Sequence, residues 1–115
     1  MIRIVVAVLA IALLGAAGVV AVENQGATEI TLDGGSRGVV PFPHHRHQEA
    51  LKDCKLCHTL FPQEPSSIDR LKKEGTLIQK QVMNKLCIKC HKSKQKEGIK
   101  SGPTTCSKCH VKAKS

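Results

Sequence analysis

Three copies of one five-residue motif constrain this chain more than anything else in it: Cys54-Lys55-Leu56-Cys57-His58, Cys87-Ile88-Lys89-Cys90-His91 and Cys106-Ser107-Lys108-Cys109-His110. They use all six cysteines, and each second Cys is followed at once by His. The pattern is the c-type haem attachment sequence. Two thiols at this spacing can add to the two vinyl groups on one edge of a porphyrin, and the adjacent imidazole is then carried under the ring to reach iron. Disulfides are the default use of six Cys in an exported chain, but they give no reason for three following histidines. Zinc can use Cys-x-x-Cys pairs, yet six thiolates and a stray His do not divide into clean four-ligand sites, so a zinc-binding structural module ranks last. The sequence predicts three covalently attached haem c groups, with His58, His91 and His110 as proximal ligands.

Composition agrees that the polypeptide needs such a staple. Positions 23–115 hold 18 Leu, Ile, Val or Phe residues in 93, with no Trp or Tyr. A chain this poor in apolar side chains cannot bury enough surface to offset its own ordering entropy. The expected fold class is a small, cofactor-stapled α+β domain: a short N-terminal two-stranded hairpin plus a few short helices around three covalent haems.

The first 22 residues carry one charge, Arg3. A continuous apolar stretch from Ile4 to Leu14 gives way to small residues ending at Val19-Val20-Ala21, the form of an export signal cleaved after Ala21. Positions 4–22 are also just long enough to span a bilayer, so retention as a membrane anchor is the alternative. The expected organisation is a signal peptide over 1–21 and a triheme domain over 22–115. Its expected location is the periplasm, either free or anchored to the inner membrane.

Local patterning places few regular elements. Thr28 to Leu32 and Val39 to Phe42 read as short strands around the turn signal Asp33-Gly34-Gly35-Ser36. Pro43 suits the first position of a helix running to about Ala50. Ser66 with Asp69 reads as a cap for a helix over Ile68 to Glu74 that Gly75 ends, and Thr76 as a cap for another carrying Ile78, Val82 and Leu86 on one face. A last short helix is expected from Thr105 to Val111.

Three histidines remain, His44, His45 and His47. An exposed polar helix is the ordinary reading of such a cluster. Three irons in need of distal ligands make ligation the better one, because His44 and His47 lie one helical turn apart and can serve two different haems.

Val40-Pro41-Phe42-Pro43-His44-His45-Arg46-His47-Gln48, Asp53-Cys54-Lys55-Leu56-Cys57-His58 and Gly102-Pro103-Thr104-Thr105-Cys106-Ser107-Lys108-Cys109-His110 together resemble the small triheme class III c-type cytochromes, the cytochrome c-seven group of periplasmic electron shuttles. The resemblance covers about positions 28–113. It implies that His44 is the distal ligand of the first haem, opposite His58, and that His47 completes the second, opposite His91. Family members place a His four residues before the first Cys of the second attachment site, as distal ligand of the last haem. Here that position is Met83. A thioether is also a haem ligand, though Met is as often core filler. Met83, His45 and an open or water-bound iron are therefore the three candidates at the third haem. A His45 neighbouring His44 on a helix projects about 100° away from it, which counts against His45.

The formal charge of +9 falls to about +2 once Arg3 is removed and six haem propionates are added. A nucleic-acid role is not expected, since there is no aromatic platform for base stacking. Positions 23–84 balance eight basic against eight acidic residues, whereas 85–115 hold nine Lys and one acid, Glu97. Such a face is either simply solvated or a docking surface for acidic redox donors and acceptors. The resemblance and the expected hexacoordinate irons imply an electron carrier rather than an enzyme, working by outer-sphere transfer. Small-ligand binding or catalysis at a vacant third haem is the rival.

Overall fold

The computed structural model describes residues 24–112. The leader, both its cleavage site and its reading as an anchor, lies outside the described residues. Two strands, β1 (Ile30–Leu32) and β2 (Val40–Phe42), pair antiparallel with Ile30 opposite Phe42, Thr31 opposite Pro41 and Leu32 opposite Val40. Side chains alternate as strand geometry requires: Ile30, Leu32, Val40 and Phe42 face inward while Thr31 and Pro41 are exposed. Pro41 is tolerated because a two-stranded ribbon has only edge strands. The connection tightens into a 3-10 turn, Gly35–Arg37, whose start is fixed by Asp33 Oδ1 accepting from the Gly35 amide at 2.9 Å.

Helix α1 (His44–Leu51) follows Pro43 directly and ends at Lys52 in the left-handed conformation. A single turn, α2 (Lys55–His58), carries the first attachment site, and α3 (Ser67–Lys73) lies in the connection to the second. Next comes a π-helical turn, Met83–Cys87, that runs without a break into α4 (Ile88–Lys96). The single turn α5 (Cys106–Cys109) carries the third site. Beyond it Val111 exchanges two backbone hydrogen bonds with Val39, of 2.8 and 3.1 Å, so the end of the described chain closes against the hairpin.

Several local expectations need correction. Ser66 does not cap α3 through its side chain; it sits in the left-handed region at φ 57°, and the Gly75 stop at φ 74° is the part of that reading that holds. Thr76 starts no helix, because Lys80 turns the chain left-handed at φ 66° and regular helix begins only after it. Ile78 is therefore not on a buried face but 69% exposed, and its neighbour Leu77 is inside at 4%. The last helix stops at Cys109, since the following residues turn extended to meet Val39.

Leu77, 4% exposed, is the sole buried apolar residue among the described residues, and Ser67, 5% exposed, the sole buried polar one. Among the described residues the polypeptide has essentially no apolar core of its own.

Candidate haem-binding site

Six histidines fall into two groups by which ring nitrogen is held. A carbonyl oxygen can only accept, so a ring nitrogen facing one carries the proton. Nδ1 donates to a backbone carbonyl in five of them: His44 to Ala27 at 2.9 Å, His47 to Pro43 at 2.9 Å, His58 to Phe61 at 3.2 Å, His91 to Pro103 at 2.7 Å and His110 to Gly38 at 3.2 Å. In each of these rings Nδ1 is the nitrogen held by the backbone, which turns Nε2 away from it, and Nε2 is an atom that can coordinate a metal. Donation of the other ring N–H to a carbonyl is the usual support of a metal-bound imidazole, fixing its tautomer and raising its basicity. His45 is the reverse case: its Nε2 donates to Gly26 at 3.0 Å.

Four of the five are also paired in space. His44 and His58 have ring centroids 6.4 Å apart with planes at 80°, and His47 and His91 lie 6.1 Å apart at 30°. Imidazole nitrogens bind first-row metals at about 2.0–2.1 Å and the ring centre lies about 1.1 Å further out, so two imidazoles on opposite sides of one metal have centroids about 6.3 Å apart. Both pairs match that span. The ring of His45 lies at the same span from that of His44, 6.1 Å, so what separates it from the two pairs is not distance but the bond from its Nε2 to Gly26. The remaining proximal candidate, His110, has no imidazole facing it among the described residues, and Met83 is half-buried at the first position of the π turn.

Local sequence explains the placement. Pro43 supplies the first carbonyl of α1, which receives both the backbone amide of His47 (3.2 Å) and its Nδ1, so a proline four residues ahead of a histidine aims that ring. The protein's two aromatic residues both buttress ligand candidates: Phe42 lies 4.4 Å from His47 and Phe61 5.2 Å from His58, the latter edge to face. Glycines make room for two other rings. A Cβ on Gly102 would collide with the ring of His91, and one on Gly34 with the ring of His110. Gly38, at φ 98°, has Val111 where a Cβ would go. The five carbonyl acceptors and the two ring-cradling glycines were not found by sequence reasoning. A glycine beside a proline just upstream of the third site was the one visible signal.

None of the six cysteines is paired in a disulfide. Burial pushes the Cys57 and Cys87 thiols up from their ordinary range, and charge repulsion adds to it, from Cys90 and Cys54 on the first and foremost from Cys57 on the second. Burial likewise raises Cys109, helped by Cys106. These repulsions run between sites as well as within them. Among the described residues no three His, Cys, Asp or Glu side chains gather as a zinc site requires. A concavity of about 440 Å³ adjoins the third site, lined by Arg37, Cys106, Ser107, His110 and Lys112. Among the described residues the one hydrogen-bond contact to an Nε2 of the five backbone-held rings is the Gln48 amide, 3.4 Å from His44 Nε2. The backbone-held Nδ1 atoms, the spacing of the two imidazole pairs and the scarcity of buried apolar side chains among the described residues all fit haem c.

The family model described as cytochrome c7 and related cytochrome c matches residues 40–111. This chain belongs to the cytochrome c7 family. A cytochrome c7 of Geobacter metallireducens is 36% identical over 75 residues, covering 65% of this chain and 67% of that protein. The solution structure of the triheme cytochrome PpcA from Geobacter sulfurreducens superposes with a TM-score of 0.53 at 32% identity, over 75% of this chain and all of PpcA. PpcE, a cytochrome c7 from the same organism, gives 0.51 at 30% identity, over 73% and 97% of the two chains. As in the rest of the family the cofactor is haem c, and three attachment sequences provide for three groups. The two-stranded hairpin and short helices are the family fold.

Proposed function

We propose that this chain is a periplasmic one-electron carrier working by outer-sphere transfer, with axial pairs His44 and His58, His47 and His91, and Met83 and His110. Thioether links come from Cys54 and Cys57, Cys87 and Cys90, and Cys106 and Cys109. The observation that carries this reading is the shared posture of five imidazoles, each giving its Nδ1 proton to a backbone carbonyl and keeping Nε2 for iron. Bound haem c supplies a ferric/ferrous couple at each site.

The chain's own residues do the rest. Two side chains per iron leave no position for substrate or water, which separates a carrier from an enzyme. The carbonyl bonds, together with Phe42 and Phe61, hold the imidazoles in one orientation, so little has to move when the oxidation state changes. Two observations support Met83 at the third site: it stands four residues before Cys87 at the start of the π turn, a distortion frequent at functional sites, and His45 has its Nε2 committed to Gly26. An axial Met raises a haem potential relative to His. Lys85, Lys89, Lys92, Lys96, Lys100, Lys108 and Lys112 are exposed on the C-terminal part, and acidic redox partners would be steered there. Export rests on the sequence of positions 1–21; if positions 4–22 are retained instead, the carrier stays on the periplasmic face of the inner membrane.

The test is a redox titration of the purified holoprotein under argon and under carbon monoxide. Three reversible one-electron couples that carbon monoxide leaves unchanged are expected. Tight binding of carbon monoxide to the native ferrous protein would instead indicate an open third iron and favour ligand binding or catalysis.

A further inference from the structure

We infer that His45, the one histidine outside the ligand set, is a positioning residue that pins the segment before β1 and so sets the acceptor for His44; this rests on the proposed role of His44 as an axial ligand. The Nδ1 of His44 donates to the carbonyl of Ala27. Ala27 lies in irregular chain, ahead of β1. Both of its neighbours are held by His45: the carbonyl of Gly26 accepts from His45 Nε2 at 3.0 Å, and that of Thr28 accepts from the His45 backbone amide at 3.2 Å. One residue of α1 therefore fixes the chain on either side of the oxygen that its neighbour uses.

Three successive carbonyls, of Gly26, Ala27 and Thr28, thus meet the start of α1. In an extended chain consecutive carbonyls point to opposite sides, so this convergence needs a break in the strand geometry. Gly26 supplies it at φ 73°, a conformation that glycine adopts at no steric cost. Further along, Gln48 and Gln25 exchange two hydrogen bonds of 3.0 and 2.9 Å, and Asn24 donates to Glu49 at 3.0 Å. The whole strap runs from 24 to 28 along one helix, and His45 holds the end nearest the ligand.

The consequence is electronic. A firm Nδ1–H···O=C bond makes the imidazole a stronger donor and favours ferric iron. Loosening Ala27 weakens that bond and raises the potential of the haem on Cys54 and Cys57, leaving the other two alone. A merely structural role for His45 would not single out one haem.

Potentials of the three haems, followed individually by NMR during redox titration of the holoprotein, test this in His45→Ala, His45→Gln and Gly26→Ala. His45→Ala is expected to raise the first haem's potential alone by about 20–30 mV, a roughly two- to threefold change in electron occupancy. His45→Gln keeps a side-chain N–H donor and should restore the native value. Gly26→Ala leaves His45 in place, strains the turn and sets a Cβ in ordinary contact with the His44 ring, 3.5 Å from Cε1; it should shift the same haem in the same direction, and it carries the test if His45→Ala does not accumulate. Three unchanged potentials, or an equal shift of all three, overturn the inference. His44→Ala separates the underlying reading: if the first haem keeps its native low-spin spectrum in that variant, His44 is not a ligand and the proposed axial pair fails.

Discussion

His47 and His91 face each other with centroids 6.1 Å apart and planes only 30° from parallel, whereas the planes of His44 and His58 stand at 80°. When two axial imidazoles are near parallel, their π donation splits the two iron orbitals of matching symmetry; when they are near perpendicular, those orbitals stay almost degenerate. Electron paramagnetic resonance of the ferric protein should therefore show one rhombic low-spin signal, from the second haem, and one strongly anisotropic signal with a large maximum g value, from the first. Replacing His91 should remove the rhombic signal and spare the other. Two identical rhombic signals would count against the observed ring orientations.

Gly102 is where the second proximal ligand is most easily disturbed. A Cβ there collides with the His91 ring, and the next residue, Pro103, holds the acceptor for Nδ1 of that ring. Gly102→Ala should displace His91 and convert the second haem from low to high spin, with carbon monoxide binding at about one site per molecule; the first haem should be unaffected. The control is Gly98→Ala, which has no neighbour to meet but carries a φ of 74°. It should cost about 1 kcal/mol of stability with no change of spin state, read by denaturation and visible spectra.

The hairpin and the outline of the candidate site are legible in the sequence. The attachment motifs single out six cysteines and the histidine after each pair by their spacing, and alternation fixes the hairpin to within two residues of its observed ends. What the sequence does not reveal depends on contacts far apart along the chain: the carbonyl of Gly38 under His110, that of Ala27 under His44, and the Val39 to Val111 bridge. The helix expected from Thr76 fails for a local reason. Periodicity in Ile78, Val82 and Leu86 presumes an unbroken helix, and Lys80 at φ 66° breaks it, so Ile78 lies ahead of the helix and is exposed.

Folding itself should depend on the cofactor. With Leu77 the one buried apolar side chain among the described residues, the chain has too little apolar burial to offset its ordering entropy. Protein expressed without haem attachment should lack a cooperative thermal transition and show the amide exchange of an unfolded chain. Replacing Cys106 and Cys109 together by Ala should drop the haem count from three to two by intact mass and lower the thermal midpoint of what remains. A haem-free protein that melts cooperatively would contradict this.

The third haem decides the ligand set, because among the described residues no second imidazole faces His110 as His44 faces His58 and His47 faces His91. Near-infrared absorption of the ferric holoprotein, compared between native, Met83→His and Met83→Ala, measures this most directly. The native protein should show the weak near-infrared band of sulfur-ligated haem. Met83→His should lose that band and lower only the potential of the haem held by Cys106, Cys109 and His110, and Met83→Ala should open that iron to carbon monoxide. A native protein without the band, together with a Met83→Ala variant unchanged in spectrum and potentials, would contradict the ligand set proposed here.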